Sequence, residues 1–126
     1  MIINVFGSNP PYSFNRILLN PKKTYLIRFI SIHGILSSGS DSSIYKLCTN
    51  LIEREEGNSE RVITYLRLEK RENVIDYVPQ LSLWYKLRLH DLNSAEFNLE
   101  SILSNKKLSF KEFSCQFEIN ENARLQ

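Results

Sequence analysis

Three stretches of this chain alternate apolar and polar residues with a period of two, and that pattern narrows the fold more than any other feature. In the first, Val62, Thr64, Leu66 and Leu68 fall on one side and Arg61, Tyr65, Arg67 and Glu69 on the other, with Ile63 out of phase. In the second, Leu83, Tyr85, Leu87 and Leu89 oppose Ser82, Trp84, Lys86, Arg88 and His90. In the third, Phe113, Cys115, Phe117 and Ile119 oppose Glu112, Ser114, Gln116 and Glu118. Side chains of a strand point alternately to the two faces of a sheet, so clean alternation marks strands with one buried and one wet face. Parallel sheets are covered on both faces, which leaves antiparallel sheets.

The rest of the chain fits the same class. Residues 24–32 (TYLIRFISI) are apolar on both faces apart from Arg28 and Ser31, which predicts a central strand covered on both sides. Residues 13–19 and 43–52 read as further strands and 74–78 as a short one, separated by turn formers at 20–23, 37–43 and 55–59. Helix is limited to single turns at 99–103 and 53–56, the latter extending back to Leu51, because no segment keeps a 3.6 period for three turns. The last residues, 121–126, are expected to fray or to meet a partner. With 126 residues, 42% of them hydrophobic, the chain has material for one core. The expected fold is therefore all-β: one domain over residues 1–126, an antiparallel β-sandwich, jelly-roll-like, with little helix.

Charge and reactive residues narrow the function. Sixteen basic and fourteen acidic residues, well mixed, are too balanced for an obligate polyanion binder. Cys48 and Cys115 form neither a disulfide framework nor a CxxC zinc pair, so two reduced thiols are expected. Residues 1–6 are apolar but short and lack the basic leader of a signal peptide, and no apolar run approaches the roughly 20 residues of a membrane helix. Synthesis in the cytoplasm or nucleus, with no membrane partner, is the expectation.

The catalytic inventory is thin, with two His, the three Asp residues Asp41, Asp76 and Asp91, and no glycine-rich phosphate loop. His33, beside Gly34, reads as a base or ligand, or as a strand-end histidine with a satisfied hydrogen bond. His90 and Asp91 are adjacent, so on a strand they point to opposite faces and instead read as a strand end and turn start. Cys115 lies on the apolar side of its alternation, where a thiol packs and stays inert. Glu53, Glu55 and Glu56 lack a surrounding oxygen-rich loop. No catalytic residue, cofactor or metal is expected.

What remains are outward-facing residues: Arg61, Tyr65 and Arg67 on the first alternation, and Trp84, Lys86 and Arg88 on the second. If those strands are neighbours they form one cationic, aromatic patch. Such a patch serves as a solvated sheet face, as a protein interface anchored by Trp, Tyr and Arg, or as a platform that stacks bases and holds phosphates. Glu69, Glu72 and Asp76 nearby oppose polyanion binding.

The order of features from residue 44 to 119 resembles that of capsid-type structural proteins of Polinton-like and adintovirus-like elements. Ile44-Tyr45-Lys46-Leu47-Cys48-Thr49-Asn50-Leu51-Ile52-Glu53 is similar to their I-Y-x-x-C-x-x-I/L-x-E strand, and residues 62–68 to their L-L-R strand. Tyr77-Val78-Pro79 is similar to the Y-V-P turn, followed by residues 83–91 and Phe97; the turn at 91–94 lacks the family's glycine. The resemblance implies a non-enzymatic virion subunit, jelly-roll or spike-like, that assembles as a homo-oligomer or with capsid partner proteins. The alternative from the residues alone is a module for single-stranded nucleic acid or another polyanion, with an oligonucleotide-binding type of barrel.

Overall fold

A computed structural model of the chain describes residues 1–8, 11–37, 43–53, 61–69, 73–79 and 83–122. Among these residues eleven strands run in the order β1 (Ile2–Gly7), β2 (Tyr12–Leu18), β3 (Tyr25–Leu36), β4 (Ser43–Thr49), β5 (Val62–Leu68), β6 (Val74–Tyr77), β7 (Tyr85–Lys86), β8 (Asp91–Ala95), β9 (Phe97–Ser101), β10 (Lys107–Leu108) and β11 (Phe110–Glu121). Every strand pairing is antiparallel, and no helix occurs among the described residues. The all-β antiparallel class read from the alternations is the class observed.

The larger sheet has the order β1-β11-β3-β6, with β7 also on β3; a second has β10-β9-β4-β5; and β2 pairs β8. Only Glu96 separates β8 from β9, so β2-β8 and β9-β4-β5 continue one another along the chain. The pairings are nested: β1 with β11, β2 with β8, β3 with β6, and β4 with β5 at the centre.

The core lies between the layers. Phe113, Cys115, Phe117 and Ile119 on β11 are buried, as their alternation predicts. From the larger sheet, Phe29 meets Phe97 of β9 edge-on at 5.9 Å, and Phe113 stacks on Phe97 at 4.5 Å. From β2, Tyr12 stacks on Phe113 at 4.8 Å and Phe14 meets Phe117 at 6.1 Å. Two glycines make room for these rings. A Cβ on Gly34 would stand 2.5 Å from Phe110 Cδ1, and one on Gly7 would stand 2.5 Å from Tyr12 Cδ1.

Bulges explain two irregularities of the sequence. Phe117 pairs Phe29 and Gln116 pairs Ser31, leaving Ile30 as an extra residue on β3. An extra residue flips the phase of alternation, so Ile27 and Phe29 point inward before it and Ile32 and Leu36 after it. Residues 24–32 look apolar on both faces because one inward row changes parity, which corrects the expectation of a strand covered on both sides. Ile63, out of phase in the sequence, is likewise the extra residue between Thr64, opposite Leu47, and Val62, opposite Cys48.

Other expectations shift. The strand expected over 82–90 is reduced to Tyr85–Lys86, with Leu83 and Leu89 exposed. Here the chain bridges the two sheets: Leu87 N donates to Tyr25 O, Arg88 N to Leu51 O, and Glu53 N to Lys86 O. Exchanging bonds in turn with β3 and with the segment that follows β4 prevents a regular ladder. Residues 99–103 do not form a helical turn throughout, because Leu99 is a buried residue of β9; a turn follows at 102–104, where Ser101 Oγ accepts from the N–H groups of Leu103 and Ser104. Strands β1, β8, β9 and β10 are additional to those expected. Of the expected loop over 37–43, acidic turn over 55–59 and fraying end over 121–126, residues 38–42, 55–59 and 123–126 lie outside the described residues.

Candidate functional site

The outer face of the larger sheet is built from cross-strand rungs. One rung runs Phe6, Ser114, His33, Asp76 across β1, β11, β3 and β6. Its neighbour toward one end is Glu112, Ile35, Val74. Toward the other end lie Asn4, Gln116, Ser31 and then Ile2, Glu118, Arg28. The first two rungs line an open hollow of about 580 Å³.

His33 Nδ1 lies 2.7 Å from Asp76 Oδ1, and both side chains face solvent. The Asp76 carboxylate holds the ring through Nδ1. Ser114 is next along the rung, and among the described residues no hydrogen bond joins its hydroxyl to His33. His33 also sits within β3 rather than at a strand end, and its partner is a carboxylate 43 positions away in sequence, which local pattern does not reveal. Around this polar row, Phe6 is 71% exposed and Val74 56%, with Ile35 partly exposed beside them. An exposed apolar rim thus surrounds a polar centre on this face.

At the opposite end of the same face, the Arg28 guanidinium lies over Trp84 at 5.2 Å and is bonded to Glu118 at 2.6 Å. Lys86 pairs with Leu26 on the same edge. Trp84 and Lys86 therefore belong to the larger sheet's surface. Tyr65 and Arg67 belong to the other sheet, where they pair with Lys46 and Ile44 of β4. Arg61 leads into β5, and Arg88 donates from Nε to Asn50 O at 2.7 Å, at the junction of the sheets. The six residues are not brought onto one patch, because β5 pairs β4 whereas β7 pairs β3. Tyr65, 60% exposed, and Trp84, 40% exposed, remain available on separate surfaces.

The other reactive groups are structural. His90 Nε2 lies 2.7 Å from Lys23 O, while Asp91 accepts two hydrogen bonds from Arg16, so the adjacent pair does not act together. The Arg16 bonds hold the exposed Asp91 carboxyl below its ordinary range. Burial pushes the Cys115 thiol up, which keeps it protonated and unreactive. Both cysteines are free. No group of three or more His, Cys, Asp or Glu suited to a metal ion occurs among the described residues, and no helix there is long and apolar enough to cross a membrane.

No family model matches the chain, and no curated protein or solved structure matches it.

Proposed function

We propose that this chain is a non-enzymatic structural subunit of jelly-roll type, assembling with copies of itself or with a capsid partner, as in a virion. The observation that carries the reading is the nested pairing of β1 with β11, β2 with β8, β3 with β6 and β4 with β5. A four-pair hairpin rolled into two layers is the jelly roll, an architecture of viral capsid and lectin domains. Two further features support it: the likeness of residues 44–119 to capsid-type proteins, and the apolar rim of Phe6, Ile35 and Val74 on the outer face of the larger sheet.

The nucleic-acid alternative draws less support. Its six residues are divided between two surfaces and a junction, and the face that holds Trp84 and Lys86 also carries Glu112, Glu118 and Asp76. Phosphate binding needs cations that are not opposed in this way.

Sedimentation velocity over a hundredfold range of protein concentration tests the proposal. Concentration-dependent oligomers that are unchanged by a short single-stranded oligonucleotide at low salt are expected. A protein that stays monomeric throughout and enters no particle fraction overturns it.

A further inference from the structure

We infer that two copies of this chain pair through strand β1, antiparallel and centred on Asn4, to make one continuous sheet across a two-fold axis. The inference rests on the assembly reading and names its first contact.

An unpaired sheet edge is a template for another strand, and proteins blunt such edges with charges, proline, bulges or brevity. Most edges here are blunted. Strand β5 is bulged at Ile63 and carries Arg67; β10 is two residues long with Lys107; β6 has four residues and Asp76. Strand β2 loses register between Ser13 and Ile17 and carries Arg16, and β8 begins at Asp91. Strand β1 has none of these devices. Its sequence is Ile-Ile-Asn-Val-Phe-Gly, and it pairs with β11 over six consecutive positions without a shift.

Hydrogen-bond parity fixes what that edge offers. Ile119 N donates to Met1 O, so the residues bonded to β11 are the odd ones: Met1, Ile3, Val5 and Gly7. The N–H and C=O groups of Ile2, Asn4 and Phe6 therefore point away from β11. Among the described residues no strand pairs with that side. Strand β2 instead packs beneath, through Tyr12 on Phe113 and Phe14 on Phe117.

A second β1 placed antiparallel meets these groups with itself. The register that bonds them sets Ile2 opposite Phe6 of the second copy, Asn4 opposite Asn4, and Phe6 opposite Ile2. Both apolar residues of the outer row are exposed, Ile2 at 56% and Phe6 at 71%, and the pairing joins them as aromatic and β-branched cross-strand partners. Ile3 and Val5 oppose each other on the covered side. No charged residue meets its own copy. A foreign strand lacks a reason to match this register, whereas a second copy matches at every rung, which is why the occupant is this chain itself.

The register makes the test specific. With Cys48 replaced by Ser and Cys115 buried, N4C alone is expected to give a disulfide-linked dimer on mild oxidation, because residue 4 is the only position opposite itself. I2C and F6C should not link alone but should link when mixed. Asn4→Pro removes no backbone bond to β11, only the exposed side-chain bond that Asn4 Oδ1 accepts from Gln116 Nε2, so a folded protein whose dimer dissociation constant rises at least about tenfold is expected. Phe6→Lys, at an exposed position, should act in the same direction, with circular dichroism confirming the fold. Cross-linking of N4C no greater than that of K107C, or an unchanged dimer in both edge variants, overturns the inference. If oligomers persist in those variants, the assembly reading stands on another surface. If the unmodified protein is monomeric throughout, both fall.

Discussion

Tyr12 shows how much a single position matters in this core. Its ring is 1% exposed, stacks on Phe113 and fills the space that Gly7 leaves, but its buried hydroxyl has no hydrogen-bond partner among the described residues. Burial accordingly raises its pKa, since the phenolate would be worse still. A buried hydroxyl without a partner costs roughly 1–3 kcal/mol of desolvation, so the ring stabilises the core despite the oxygen. Tyr12→Phe keeps the ring and removes the cost. The variant should be as stable as the parent or more so, by up to about 2 kcal/mol, in urea unfolding at constant m-value. A loss above about 1 kcal/mol would reveal a partner for that hydroxyl.

At the scale of the element, legibility depends on whether a strand is regular. Strand β11 was readable from Phe113, Cys115, Phe117 and Ile119 because those residues alternate without interruption and all face the core. Strand β3 was readable as a strand but not in its facing, since the extra residue Ile30 moves the inward row from Ile27 and Phe29 to Ile32 and Leu36. The segment from Leu83 to Leu89 alternates equally well yet bridges two sheets, because backbone partners are a tertiary choice that side-chain pattern does not record. The same limit hid the candidate site: the His33–Asp76 pair and the Phe6 rung exist only through registers between distant strands. The bulge itself is testable. Deleting Ile30 joins Phe29 to Ser31 and gives an unbroken alternation of Ile27, Phe29, Ile32 and Leu36 in register with β11. That deletion should leave a folded protein, weakened by about 1–2 kcal/mol for the lost side-chain burial. Deleting Arg28 instead turns Tyr25 and Ile27 outward and should abolish cooperative unfolding in calorimetry. Equal tolerance of both deletions would show that β3 does not set the facing of this sheet.

For the whole molecule, nesting concentrates the fold on its last strand. β11 lies between β1 and β3 and supplies Phe110, Phe113, Cys115, Phe117 and Ile119 to the core, so the larger sheet has no continuity without it. Its pairing with β1 joins residues as far apart as Met1 and Ile119, 118 positions along the chain. The loop-closure entropy of such contacts must be met before their burial is gained, and cooperative folding then waits for the final strand. Strand β1 is at an edge and contributes Val5 as its one fully buried residue. A chain ending at Ser109 should therefore lack dispersed amide resonances and a cooperative melt, whereas one beginning at Ser8 should keep both with a lowered midpoint. The intact chain should refold on the millisecond-to-second scale typical of sheets with distant pairings. A folded, dispersed spectrum from the chain ending at Ser109 would mean that the inner hairpins, β3 with β6 and β4 with β5, form a core of their own and that the outer strands are added to a finished domain.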